Sequence, residues 1–124
     1  MTQRPTVNRP ISAEEMAVVQ ATLDRASEAE QLSLSAGSLI GLRVVGLCGC
    51  GCDSVDFTEH DPERPSQPVA HGIGTAPSGG DVGVLIWGRG DEVTGLEVYD
   101  LGAGQDNLRL PDPSSIRRFG PRAS

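Results

Sequence analysis

Residues 82–99 read Val82-Gly83-Val84-Leu85-Ile86-Trp87-Gly88-Arg89-Gly90-Asp91-Glu92-Val93-Thr94-Gly95-Leu96-Glu97-Val98-Tyr99 and indicate two strands joined by a turn. The first segment, 82–87, is apolar on both faces, which is typical of a buried strand. The turn residues at 88–91 predict that 93–99 returns as the antiparallel partner of this strand. Within the returning strand, Glu97 alternates with apolar neighbours. We expect it to face solvent or to pair with an arginine across the hairpin.

Two shorter segments upstream also have the pattern of strands. Residues 42–47 are rich in β-branched side chains, and residues 55–57 alternate between apolar and polar, as in a half-buried strand. By contrast, residues 59–81 contain prolines, glycines and charges and almost nothing apolar, so we expect a long surface loop. The chain after residue 100 is expected to be irregular because its prolines interrupt regular structure.

A single helix is predicted at residues 13–31. Ser12-Ala13-Glu14-Glu15 has the form of a capping box, and Ile11 and Met16 flank it at the spacing of a hydrophobic staple. Apolar residues then recur with a helical period. The expected contacts with the sheet are Met16, Val19 and Leu23 on the helix and Val44, Val84, Ile86, Leu96 and Val98 on the strands. The predicted fold is therefore α+β, with one N-terminal helix packed on a four-stranded, mainly antiparallel β-meander.

The 124 residues of the chain are enough for one domain. We expect a disordered lead-in at 1–11, a single globular domain at 12–106 and an irregular tail containing arginine and proline at 107–124. No apolar run is long enough to cross a bilayer, and the N-terminus lacks the apolar stretch of a signal peptide. These features predict a cytoplasmic protein whose three cysteines stay reduced.

The charge of the chain is negative and unevenly distributed. The net charge is −7, and all ten basic residues are arginine. Residues 12–106 contain four arginines and sixteen carboxylates, which leaves a charge near −12 on this part of the chain. Such a surface repels nucleic acid and anionic lipid and attracts basic proteins, although it also serves solubility alone. The expected contacts for a basic partner are Asp53, Asp56, Glu59, Asp61 and Glu63.

All three cysteines lie in the stretch Cys48-Gly49-Cys50-Gly51-Cys52-Asp53-Ser54. Its glycines suit a tight hairpin turn, in which the cysteines would be small buried side chains. Alternatively the three thiolates hold zinc, with His60, His71, Asp53 or a partner's side chain as the fourth ligand. The spacing is not Cys-x-x-Cys, and the turn alone accounts for the glycines. We therefore expect one cysteine at least to point away from the others, with no metal bound.

The sequence predicts no enzyme active site. His60 and His71 are the only imidazoles, and both fall in the predicted loop at 59–81. A cysteine nucleophile with His71 as its base would need a third group to orient the imidazole, and the sequence offers none. We therefore predict no catalytic residue.

Four segments together carry a resemblance: Ile11-Ser12-Ala13-Glu14-Glu15, Cys48-Gly49-Cys50-Gly51-Cys52-Asp53-Ser54-Val55, Gly95-Leu96-Glu97-Val98-Tyr99 and Leu110-Pro111. In this order they resemble a group of small uncharacterised bacterial proteins with a Cys-x-Cys-Gly-Cys-x-Ser segment and a late Gly-Leu-Glu-Val-Tyr strand. The resemblance implies one domain and adds no catalytic residue. By size and charge alone the chain also resembles immunity proteins, which block a toxin by binding it.

Two functions are compatible with these patterns. The first is a small acidic interaction or inhibitory, immunity-like protein that binds a basic partner, and the negative charge favours it. The alternative is a metal- or thiol-dependent module centred on Cys48, Cys50 and Cys52, which the clustering of every cysteine favours.

Overall fold

The computed structural model describes residues 6–30, 39, 41–47, 53–59, 62–89, 92–101 and 109–118. Helix α1 spans Ala13–Glu30, and a short 3-10 helix spans Pro113–Ser115. The strands are β1 (Thr6–Pro10), β2 (Arg43–Leu47), β3 (Val55–Asp56), β4 (Gln67–Thr75), β5 (Asp81–Arg89), β6 (Glu92–Asp100) and β7 (Arg117–Arg118). Within these residues the strands form one antiparallel sheet in the order β1-β2-β3-β6-β5-β4-β7. The α+β class is confirmed, but the sheet has seven strands rather than four.

Strands β5 and β6 form the predicted hairpin at the centre of this sheet. They pair antiparallel along their length, from the pair Val82–Asp100 to the pair Arg89–Glu92. Each strand extends beyond the segment that the sequence predicted. The hairpin therefore provides two long neighbouring strands on which side chains of opposite faces alternate.

The predicted capping box begins α1. The hydroxyl of Ser12 accepts a hydrogen bond from the Glu15 N–H at 3.0 Å, and Glu15 Oε1 accepts one from the Ser12 N–H at 2.9 Å. Arg9 of β1 donates two more hydrogen bonds to the same carboxylate, at 2.9 and 2.7 Å. Burial raises the pKa of Glu15, but the hydrogen bonds from Arg9 and Ser12 outweigh it and hold that pKa below its ordinary value. The start of α1 is thus tied to strand β1.

Helix α1 packs on one side of the sheet, which we call the covered face. Val19 and Leu23 are buried there as predicted, and Met16 is partly buried. The sheet residues that share this core include Val44, Val55, Ala70, Val84, Ile86 and Leu96. Val98 was also expected beneath the helix, but it lies in a smaller cluster against which Leu110 packs. The helix therefore covers only part of this face, and the segment near residue 110 covers the rest.

Strand β4 corrects the prediction that residues 59–81 form a long loop. Residues 67–75 pair with β5 from one end of the strand to the other. The inward-facing residues of β4 are one alanine and two glycines, so the strand lacks the apolar alternation that identifies strands in a sequence. Small residues are required because a β-carbon added at Gly74 would lie 2.5 Å from the Cβ of Pro111.

Both ends of the described chain belong to the sheet. Residues 6–10, within the predicted lead-in, form the edge strand β1, which pairs with β2. Residues 113–118, within the predicted irregular tail, form the 3-10 helix and β7, which pairs with β4. Pro113 permits this structure because the first residue of a helix needs no N–H donor. The side chain of Ile116 between them is 2% exposed and completes the core.

Candidate functional site

The side of the sheet away from α1, which we call the open face, carries the residues that alternate with those of the covered face. Strand pairing aligns them in rows: His71 with Leu85 and Glu97, Ile73 with Gly83 and Tyr99, and Trp87 with Gly95. The side chains of His71, Leu85, Trp87, Glu97 and Tyr99 are partly exposed, and we call these five residues the open-face cluster. The cluster combines two aromatic rings, an imidazole and a carboxylate on adjacent strands.

The ring of Tyr99 lies flat on the backbone of Gly83. A β-carbon added at Gly83 would meet the Cζ atom first and would lie 2.6 Å from both Cε atoms of the ring. These distances place the added β-carbon directly above Cζ, on the perpendicular to the plane of the ring. One face of Tyr99 is therefore pressed against the sheet, which requires glycine at position 83, and the other face is directed away from it.

The hydroxyl of Tyr99 is hydrogen-bonded to Nε2 of His71 across β5. The two ring centroids are 5.7 Å apart, and the rings are tilted by 41°. Burial lowers the pKa of His71, and the negative charge of Glu97 only partly offsets it. Burial and the same carboxylate raise the pKa of Tyr99. Both shifts favour the uncharged form of these groups, and their hydrogen bond fixes the position of the Tyr99 ring.

The carboxylate of Glu97 is oriented by the indole of Trp87. Trp87 Nε1–H donates a hydrogen bond to Glu97 Oε1 at 3.0 Å, on the diagonal between neighbouring strands. Of the two alternatives expected for Glu97, the side chain is partly exposed, and no pairing with an arginine is seen among the described residues. The carboxylate acts electrostatically on both His71 and Tyr99, so it lies close to both. It is the one negative charge of the open-face cluster.

Asp56, one of the predicted partner contacts, also lies on the open face. It pairs with Gly95, which pairs in turn with Trp87. Its Oδ2 and Oδ1 atoms would lie 3.1 Å from a β-carbon at Gly46 and 3.6 Å from one at Gly95, so the carboxylate sits above these two glycines. The structure therefore adds a second carboxylate to the row that contains Trp87.

The other predicted contacts are placed differently. Asp53 accepts a hydrogen bond from the Leu110 N–H at 2.8 Å and lies 3.5 Å from Arg109, so it anchors the chain near residue 110. Glu59 and Glu63 are exposed between β3 and β4. Asp61 lies outside the described residues. Of the five predicted acidic contacts, the structure thus places Asp56 beside the open-face cluster.

The predicted cysteine site cannot be compared with the geometry directly, because Cys48, Cys50, Cys52 and His60 lie outside the described residues. His71, the other imidazole proposed as a fourth ligand, is hydrogen-bonded through Nε2 to the hydroxyl of Tyr99. Among the residues that are described, no three His, Cys, Asp or Glu side chains converge as a metal site would require.

A groove of about 470 Å³ lies between the start of α1 and the segment that contains the 3-10 helix. Its lining is largely apolar and includes Val18, Ala76 and Leu110, with the carboxylates of Glu14 and Asp112 among its polar groups. It marks the junction at which the C-terminal segment packs on the helix. Unlike the open face, it brings no aromatic ring to a carboxylate.

Part of the open-face cluster is visible in the sequence. Leu85 and Trp87 are two residues apart on one strand, as are Glu97 and Tyr99 on the next, and a period of two places each pair on one face. Because the two strands pair as a hairpin, these four residues are expected to face the same side of the sheet. The sequence does not place His71 beside them, because it predicts a loop at residues 59–81.

The described helices include none that is long and apolar enough to span a membrane. Comparisons of the chain with models of protein families, with curated proteins and with solved structures give no match.

Proposed function

We propose that this protein is a small acidic interaction protein, inhibitory in the manner of immunity proteins, that binds a basic protein partner through the open face of its sheet. The proposal combines the charge of the chain with the chemistry of one surface. It assigns no catalytic residue, since the open-face cluster lacks an activated nucleophile.

The long-range part of the interaction comes from the negative charge. Residues 12–106 hold four arginines against sixteen carboxylates. A field of this sign accelerates encounter with a basic protein and slows encounter with nucleic acid, and both effects weaken as salt is added. Two tail arginines, Arg109 and Arg117, are paired with Asp53 and Asp81 at 3.5 and 3.1 Å, so each pair cancels one negative charge, and the whole chain keeps a net charge of −7.

The observation that carries the proposal is the placement of Glu97 and Asp56 beside Trp87 and Tyr99 on a face that α1 does not cover. The face of an aromatic ring attracts a cationic side chain, and a carboxylate beside the ring can form a charge-assisted hydrogen bond with the same cation. The rings also provide contact area at a low cost in side-chain entropy. The open face thus unites a charge for attraction with an apolar surface for contact.

The test is the rate of association with lysozyme, a strongly basic globular protein, measured over a range of salt concentrations. We expect an association rate that falls steeply as salt rises, and Glu97→Gln should lower it more than Asp24→Asn. Asp24 is the matched control because it lies exposed on α1 and loses the same charge. Equal effects of the two variants would contradict the assignment of the open face. Binding that is indifferent to salt would contradict the electrostatic proposal itself.

The alternative function, a metal- or thiol-dependent module centred on Cys48, Cys50 and Cys52, stays a prediction because those residues lie outside the described part of the chain. Metal analysis of the purified protein would test it. Stoichiometric zinc, or loss of folding on addition of a chelator, would favour it over the interaction protein.

A further inference from the structure

We infer that the open-face cluster recognises an arginine side chain of the partner, with the guanidinium stacked on the outward face of Tyr99 and hydrogen-bonded to the carboxylate of Glu97. This inference rests on the proposed function and deepens it, since it names the chemical group that the face selects. Its geometry is independent of the overall charge, so the two can fail separately.

The first element of the site is a fixed aromatic surface. Tyr99 is pressed on Gly83 by one face and is held at its hydroxyl by His71, so the ring cannot turn without losing both contacts. The opposite ring face is directed away from Gly83, and the Tyr99 residue as a whole is partly exposed. An outward aromatic face of this kind attracts a cation through the negative potential above the ring.

The second element is an oriented carboxylate. The indole of Trp87 binds one oxygen of Glu97 and leaves the carboxylate with further lone pairs for another donor. Among the described residues, no arginine pairs with it. Glu97 and Tyr99 are two residues apart on the same strand face, roughly 7 Å along β6, which lets one planar cation touch both.

These two elements favour guanidinium over ammonium. A guanidinium is planar, so it can stack on a ring while its edge donates hydrogen bonds to a carboxylate. An ammonium group is a compact, strongly hydrated charge and cannot stack. Burial lowers the pKa of His71 and so favours its uncharged form, which places no positive charge beside the bound cation. Arg117, at the edge of this face, has its charge engaged by Asp81.

The test uses three synthetic peptides that differ only in one residue type: arginine, lysine or citrulline. Citrulline keeps the shape of arginine and lacks its charge. Binding is followed by the fluorescence of Trp87, the single tryptophan of the chain, which lies in the site. We expect the arginine peptide to bind the wild-type protein about two- to fivefold more tightly than the lysine peptide, the gain expected of a partly exposed cation–π contact. The citrulline peptide should bind most weakly.

Two variants locate this selectivity on the ring. Tyr99→Phe keeps the aromatic face and loses only the hydroxyl, so it should retain the preference for arginine. Tyr99→Leu removes the ring and should abolish the preference while leaving the salt-dependent binding of both cationic peptides. Circular dichroism of each variant establishes that it is folded, and the three-peptide comparison on the wild-type protein requires no variant.

The outcomes separate the two proposals. Equal affinity for the arginine and lysine peptides, with steep salt dependence, overturns the guanidinium site and leaves the acidic interaction protein standing. Equal binding of the citrulline peptide overturns both, because charge then has no part. A preference for arginine that survives Tyr99→Leu also overturns the proposed stacking of the guanidinium on Tyr99.

Discussion

Strands β4, β5 and β6 present two faces whose residues alternate along the same backbone but serve different purposes. On the covered face, Val84 and Ile86 are 0% exposed and pack beneath α1, and glycines of β4 allow close approach. On the open face, their neighbours Leu85 and Trp87 are partly exposed and lie beside a carboxylate. One-residue steps along a strand thus separate positions that pack beneath α1 from positions that α1 leaves uncovered.

Substitutions on the two faces should therefore change different properties of the protein. A change on the covered face opens a cavity or forces atoms together, so its cost appears in the free energy of unfolding. A change on the open face leaves the core intact, so its cost appears in binding or in the titration of neighbouring groups.

The largest expected effect is that of Leu23→Ala. Leu23 of α1 is 2% exposed in the core against the covered face, and removing its side chain should lower the free energy of unfolding by about 2–5 kcal/mol. Urea denaturation followed by circular dichroism measures this. If the free energy of unfolding fell by no more than it does for a substitution at an exposed position, α1 would not cover the sheet as described.

The next effect contrasts two glycines on opposite faces. Gly74→Ala places a β-carbon 2.5 Å from Pro111 and should cost about 1–3 kcal/mol, since the rigid proline ring cannot move aside easily.

Gly95→Ala is its control on the open face, where the nearest atom to the added carbon would be 3.6 Å away. Its stability should be unchanged or slightly raised, because alanine loses less backbone entropy than glycine on folding. Thermal unfolding of both variants provides the measurement. Similar losses at the two positions would contradict the distinction between the faces.

Gly83→Ala should have its main effect on the open-face cluster. The new methyl group displaces the Tyr99 ring and breaks its hydrogen bond with His71, whereas the core beneath is untouched. NMR titration of the imidazole should then show the pKa of His71 rising toward its ordinary value of about 6.5. If the pKa of His71 is the same in both proteins, the Tyr99 ring does not bury it.

The smallest expected effect is the dependence of stability on pH through His71. The folded state lowers the pKa of His71, so the unfolded chain takes up a proton first as the pH falls. The free energy of unfolding should therefore decrease on acidification through the ordinary histidine range of about 6.5, and His71→Gln should remove this part of the decrease. Urea denaturation of the two proteins at several pH values measures this. A larger loss of stability on acidification in the variant than in the wild type would refute the assignment to His71.

The helix and the central hairpin could be predicted because their signals are local. Ser12 and Glu15 define the start of α1 by their spacing, and the turn residues before 93–99 define the hairpin. The strand at 67–75 could not, because its inward residues are too small to give an apolar pattern. Small residues are needed there because Pro111, which is distant in sequence, packs closely against this strand.

The candidate site divides in the same way. A period of two within the hairpin places Trp87, Glu97 and Tyr99 where the structure has them. The partnership of His71 with Tyr99 depends on the pairing of β4 with β5, which no local pattern specifies. Acidic composition predicts a basic partner and points to five carboxylates, of which Asp56 lies on the open face, whereas the carboxylate of Asp53 is engaged by the chain near residue 110.

The most direct test of the open face as a binding surface is NMR titration of isotope-labelled protein with the arginine peptide. The indole N–H of Trp87 gives a resonance of its own, since the chain has a single tryptophan. We expect this resonance and the amides of Leu85, Glu97 and Tyr99 to shift together on saturation, while those of α1 stay in place. Shifts confined to α1 or to the groove beside it, with the Trp87 indole unchanged, would contradict the account.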